Sequence, residues 1–282
     1  MIQKLFLIDF LKYRRSRAFL GISILYIVII AFPILSTLTT GQIGKEMLDS
    51  SVNSPEFYNN IWQTIGYLFK FMSFMLALIV ITHQTADYQN NSFRQHIIDG
   101  MTRWEYYLSK LIVLVTISAG AALFSYLIVS LAAGFHGASV FKMFASGIPF
   151  LLGYFVSTLG LLSMALFAGL IIKNTGLAIA LYLAYMLVEL VLTLTLSANL
   201  MPVGGFATNQ GKVLGLNAFD IDLLFPKGAF LGLLPSPYWL QRAINGGNDI
   251  SKNDYVFRWI MALIYLGVFQ LVNLRIITRK EI

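Results

Sequence analysis

The sequence predicts an all-α polytopic membrane protein. Six transmembrane helices are expected, with an N-terminal interfacial helix, a short cytoplasmic helix between helices two and three, and a re-entrant or interfacial external segment before helix six. Three observations carry this. Of 282 residues, 57% are hydrophobic and 12% charged, at a mean hydropathy of +0.73, where an ordinary soluble domain carries about 25% charged residues. Six stretches reach the roughly 20 apolar residues that a hydrocarbon core of about 30 Å demands. The Lys and Arg residues, finally, gather on one side of the resulting topology.

Residues 1–18 come first. Ile2, Leu5, Phe6, Phe10 and Leu11 recur at helical spacing beside Lys4 and the cluster Lys12, Arg14, Arg15 and Arg17, which predicts a helix lying in the inner interface with its cations near anionic headgroups. Basic residues mixed through this stretch, and the long apolar run behind it, set it apart from a cleavable signal. The six spans are expected at 19–38, 65–83, 109–133, 148–172, 176–197 and 256–276. An even number puts both termini on one side. That side receives the five N-terminal cations with Arg94, Arg103, Lys110, Lys173, Arg275, Arg279 and Lys280; the far side, with much more loop, receives seven. Both termini are therefore expected in the cytoplasm of a multi-pass cell-membrane protein, in a bacterial inner membrane. Residues 198–255 are too apolar for a plain external loop, yet Asp220, Asp222, Pro226 and Lys227 make them a poor seventh span. They read as re-entrant or interfacial half-helices. The whole chain, 1–282, reads as one transmembrane domain.

The polar elbow at 84–108 carries two helix-start signals. Ser92-Phe93-Arg94-Gln95 has the form of a capping box, and Gly100 supplies a left-handed stop. A second box, Thr102-Arg103-Trp104-Glu105, with Met101 and Tyr106 placed as a hydrophobic staple, launches a helix running through Lys110 into the third span. A short helix over 93–99 thus lies across the start of that span. Phe93, Ile97 and Ile98 fall on one side of it, with Arg94, Gln95 and Asp99 elsewhere. Such a helix either offers a knob to a partner beneath the membrane or settles its apolar residues among headgroups.

Catalytic and metal signals are weak. With no cysteine there is no disulfide, thiolate site or Cys nucleophile. His83, His96 and His136 fall in different segments without partners at i+3 or i+4. Gly205 to Lys212 departs from a phosphate loop in its spacing and in lacking Ser or Thr after the Lys. A net charge of +7 reads as topology, since no basic soluble domain exists to bind nucleic acid. Lys70 and Glu189 are charges at membrane depth, each roughly 10 Å below the outer boundary at 1.5 Å per residue. Either they pair, or Lys70 snorkels outward while Glu189 is protonated or bonded to Thr193. Small residues at packing spacing, Gly153, Ser157 and Gly160 in one span and Ser118, Ala122 and Ser125 in another, mark faces of close approach.

The run Asn91-Ser92-Phe93-Arg94-Gln95-His96-Ile97-Ile98-Asp99-Gly100-Met101-Thr102-Arg103-Trp104-Glu105-Tyr106-Tyr107-Leu108-Ser109-Lys110, set among six spans with an interfacial first helix and a half-membrane excursion, resembles the permease subunit of type 2 ABC transporters. The resemblance implies half of a translocation pathway in an ATP-driven exporter. It implies a separate ABC ATPase subunit holding ATP and Mg, a second permease copy or homologous permease, membrane lipids as surroundings, and no cofactor in this chain. Phe93, Arg94, Gln95, Ile97, Ile98, Gly100 and Arg103 would form the ATPase-coupling surface. Lys70 and Glu189 would lie in the two spans that line the pathway, and Asp87 matches an acidic residue early in the elbow. The alternatives are a non-transporting membrane scaffold or sensor subunit, and a polytopic membrane enzyme, which needs a convergent polar cluster within the spans.

Overall fold

The computed structural model describes residues 20–28, 55–90, 92–135, 139–200, 212–213, 216–217, 221–234 and 252–279. In chain order the helices are α1 (residues 20–28), α2 (Pro55–Gln89), α3 (Ser92–Ile98), α4 (Arg103–Phe135), α5 (Val140–Ile171), α6 (Thr175–Leu200), α7 (Pro226–Leu231) and α8 (Lys252–Arg279). A 3-10 turn, Ile221–Leu224, precedes α7, and a two-residue antiparallel pair joins Lys212–Val213 to Leu216–Asn217. Four helical stretches are long and apolar enough to cross a membrane: Arg103–Leu131, Val140–Ile171, Thr175–Thr193 and Val256–Arg279. These coincide with four of the six expected spans. The expected second span, 65–83, lies inside the 35-residue α2. The first is described only over 20–28, and the interfacial stretch 1–18 lies outside the described residues.

Directions follow from the contacts. Trp62 meets Gly147, Phe69 meets Tyr154, Ser73 meets Thr158 and Gln84 meets Gly169, each partner 85 residues further on, so α2 and α5 run parallel in one register. Two neighbours pointing the same way need a return between them, which α4 provides. Against α8, α4 is antiparallel: Arg103 bonds Thr278 and Tyr107 bonds Gln270. Thr85 meets Thr175 through their hydroxyls at 2.7 Å, so α6 starts where α2 ends. The elbow, the α5–α6 connection and the final turn of α8 therefore share one end of the bundle.

Helix α5 is the centre, buried along most of its length. Trp62 and Phe150 have ring centroids 4.8 Å apart, Phe69 and Tyr154 5.7 Å, and Tyr26 reaches Tyr154 by a 2.9 Å hydroxyl contact. Aromatic pairs of this kind add about 0.5–1.5 kcal/mol each beyond area burial. The approach is close because Gly66 and Gly147 leave room; a Cβ on Gly66 would lie 2.1 Å from the Phe150 ring. Polar chains cross the bundle too: Tyr107 donates to Gln270 at 2.8 Å, and Gln270 and Asn273 donate to the Ser163 hydroxyl and carbonyl at 2.7 and 3.0 Å. At 1.5 Å per residue α2, α4 and α5 are each roughly 50 Å long, well beyond a hydrocarbon core of about 30 Å.

The stripe of small residues on α5 receives the segment 221–234. A Cβ on Gly160 would fall 2.3 Å from the Phe230 ring, and Gly153 faces the Leu233 carbonyl and Leu234. The close approach expected of that stripe is real, and its occupant is a short helix. Ser118, Ala122 and Ser125 are buried within α4.

Candidate functional site

The elbow is fixed by local sequence at both of its turns. At the end of α3 the Met101 N–H donates to His96 O at 3.0 Å and the Gly100 N–H to Ile97 O at 3.1 Å, a Schellman closure with Gly100 at φ +90°. A residue with a Cβ is strained there, so the sequence places glycine. Two residues later the second capping box forms as the spacing predicts. The Thr102 N–H and hydroxyl donate to the Glu105 carboxylate at 2.9 and 2.8 Å, and the Glu105 N–H donates to the Thr102 hydroxyl at 3.2 Å. With Met101 and Tyr106 both buried, the chain between α3 and α4 has little freedom.

Behind the elbow lies a polar cluster within the bundle. Lys110 Nζ is 2.7 Å from Asp87 Oδ2, with side chains only 3% and 2% exposed. The Tyr106 hydroxyl donates to Asp87 at 3.3 Å and accepts from Gln84 Nε2 at 3.2 Å, while the Lys110 ammonium sits 5.0 Å from the Tyr106 ring centre. This joins the last turns of α2 to the first turns of α4. Removing one partner of such a buried pair costs about 3–5 kcal/mol, because the other charge is stranded. Two further ties hold neighbouring helices here. The Arg103 guanidinium donates to Thr278 O in the last turn of α8, where carbonyls lack helical partners, and Gln89 donates to Lys173 O at 3.2 Å.

The expected coupling residues are distributed as follows. Ile98 is 78% exposed, and Gln95 and Gly100 are exposed. Ile97 is partly buried and packs on the core, so Ile97 and Ile98 face different ways. Arg103 turns to α8. Phe93 and Arg94 belong to α3 by backbone, and their side chains lie outside the described residues. Trp104, half exposed, adds an apolar surface beside α3 that the spacing of α3 alone does not reveal.

Glu189 is buried on α6, and its carboxylate accepts from the Gly228 N–H at 2.7 Å and the Lys227 N–H at 3.3 Å. These are first-turn donors of α7, which starts with Pro226. Lys227 Nζ reaches back to Met186 O at 3.1 Å. Thr193 bonds the Glu189 backbone carbonyl at 2.5 Å, not the carboxylate. Lys70 lies on α2, and its side chain is outside the described residues. Sequence reasoning missed Lys110, Gln84 and Tyr106 as a cluster with Asp87. Its only trace was that Asp87 and Lys110 are lone opposite charges flanking one elbow. Among the described residues no group of three or more His, Asp or Glu side chains is placed to hold a metal.

A bundle of long apolar helices with parallel and antiparallel neighbours, closed at one end by a capped polar elbow, is a multi-pass membrane protein. Residues 5–193, well over half of the chain, match the family model described as ABC-2 family transporter protein, and the chain belongs to that family. It is a membrane subunit of an ABC transporter. No curated protein matches the chain.

Proposed function

We propose that this chain is the permease half of an ATP-driven exporter, working with a separate ABC ATPase subunit and a second permease. One observation carries the reading: a doubly capped elbow that presents Ile98 and Trp104 outward while a buried ion pair fastens it to α2 and α4. The cytoplasmic face is then the elbow end, where Arg103, Lys110, Lys173 and Arg279 gather. In this reading α1 and α2 complete six crossings, both termini are cytoplasmic, and residues 221–234 dip into the membrane from outside.

Mechanically, the ATPase pushes on α3. Because the Gly100 turn and the Thr102–Glu105 box leave little slack, the push reaches α4 directly, and through Lys110–Asp87 it reaches α2. Both helices outreach the hydrocarbon core and act as levers; the permease halves repack between inward- and outward-open states. ATP and Mg belong to the partner, which in this reading performs the hydrolysis.

Replacing the exposed Ile98 with Asp tests the reading without disturbing the core. A charge in an apolar docking groove is expected to weaken ATPase association by roughly 2 kcal/mol or more, seen as loss of the ATPase on co-purification with the permease still in the membrane. Undiminished association of Ile98→Asp contradicts it.

A further inference from the structure

We infer that residues 221–234 form a wedge locked between α6 and α8, with Glu189 and Arg258 as its two locks, and that release of a lock is a step of the transport cycle.

The depth of the wedge comes from three independent helices. Phe230 sits on Gly160, 11 residues from the elbow-side end of α5; Gly228 binds Glu189, 14 residues into α6; and the Tyr265 hydroxyl, 14 residues from the end of α8, donates to Leu224 O at 2.6 Å. At 1.5 Å per residue these give roughly 17, 21 and 21 Å above the elbow end. Leu234 lies against Gly153, roughly 27 Å above that end, so the segment sits at mid-depth and rises toward its last residues, while the long Arg258 side chain reaches back to Gly232.

A short helix at that depth has no water for its terminal backbone groups, and the neighbouring spans must supply partners. They do so with matched charge. The Glu189 carboxylate on α6 takes the N–H groups at the positive N-terminus of α7. The Arg258 guanidinium on α8 donates at 3.3 Å to the carbonyl of Gly232, the residue closing the negative C-terminus. Lys227 returns its ammonium to α6, and Tyr265 adds a donor from α8.

The two locks belong to different spans, and α6 touches the bundle mainly along the narrow stripe of Ala178, Tyr182, Met186 and Glu189. A rigid-body shift of α6 past α8 cannot keep both locks closed. Glu189 and Arg258 are thus positioning residues, and the wedge reports the relative position of two spans.

The cysteine-free chain makes the test direct. Ala229, fully buried in the wedge, becomes the reporter as Ala229→Cys, and Ala165, fully buried in α5, the control as Ala165→Cys. The full-length chain in membranes is treated from outside with an impermeant maleimide, without ATP. Glu189→Ala and Arg258→Ala should each raise Ala229→Cys labelling about tenfold or more, with Glu189→Gln intermediate because its amide oxygen still accepts. Ala165→Cys should stay protected in every variant. Continued protection of Ala229→Cys, or equal opening of Ala165→Cys, overturns the lock. Adding ATP to transporter shown to retain its ATPase should expose Ala229→Cys in the parent chain; protection during turnover overturns the step in the cycle. Because the first arm needs no ATPase, its outcome is separable from that of the exporter reading.

Discussion

Two buried carboxylates do opposite work in this molecule. Asp87 is held by the ammonium of Lys110, so that two continuous helices are fastened by a pair of charges that neutralise each other. Glu189 is held by backbone N–H groups of a six-residue helix, so that one span grips a short insertion. The first arrangement makes a stiff joint and the second a detachable one. A charge pair penalises loss of either member heavily, whereas a cap lets go of its helix at the cost of a few hydrogen bonds.

The largest effect expected is at the joint. Lys110→Met leaves Asp87 charged among buried groups and should cost about 3–5 kcal/mol, read as a steep fall in thermal stability of the solubilised protein. Adding Asp87→Asn should restore much of the loss; strictly additive damage would dissolve the contrast with Glu189. Next comes the cap. Glu189→Ala removes the acceptor of two N–H bonds and should cost about 1–3 kcal/mol, with ATPase association unchanged because Glu189 lies roughly 21 Å along α6 from the elbow end. Gly100→Ala follows: no neighbour lies near the added methyl, so only the positive φ is strained, for about 1–2 kcal/mol, seen as weakened ATPase association at near-normal expression. Smallest is Thr102→Ala, which loses one cap at about 1 kcal/mol; a larger loss than that of Gly100→Ala would shift the weight of the elbow from its turn to its cap.

How much of this was legible depends on distance along the chain. The expected spans 109–133, 148–172, 176–197 and 256–276 match described helices, because apolar run length is a local property. The Thr102–Glu105 box and the Gly100 turn were equally readable, being bonds within a few residues. The Asp87–Lys110 pair was not, since it depends on which faces of α2 and α4 meet. Depth alone proposed Lys70 for Glu189. A depth ruler carries no azimuth, and the backbone N–H groups that meet the Glu189 carboxylate come from the chain 38 and 39 residues further on. Gly153, Ser157 and Gly160 announced a close approach, but nothing in their spacing said whether a span or a half-helix would fill it. Arg258, counted by sequence as one more external cation, is buried against the end of α7.

The elbow and the far end of α5 can be compared in one cross-linking measurement. Ile98→Cys and Phe141→Cys each give the chain a single cysteine, one on the exposed face of α3 and one 82% exposed at the opposite end of the bundle. A short maleimide–diazirine cross-linker is coupled to that cysteine in the assembled transporter and irradiated, so that it inserts into whatever protein lies within its reach and needs no thiol on the ATPase. Docking through the elbow requires a one-to-one permease–ATPase adduct from Ile98→Cys and none from Phe141→Cys. An adduct at Phe141→Cys, or none at Ile98→Cys in a complex that still contains its ATPase, would contradict it.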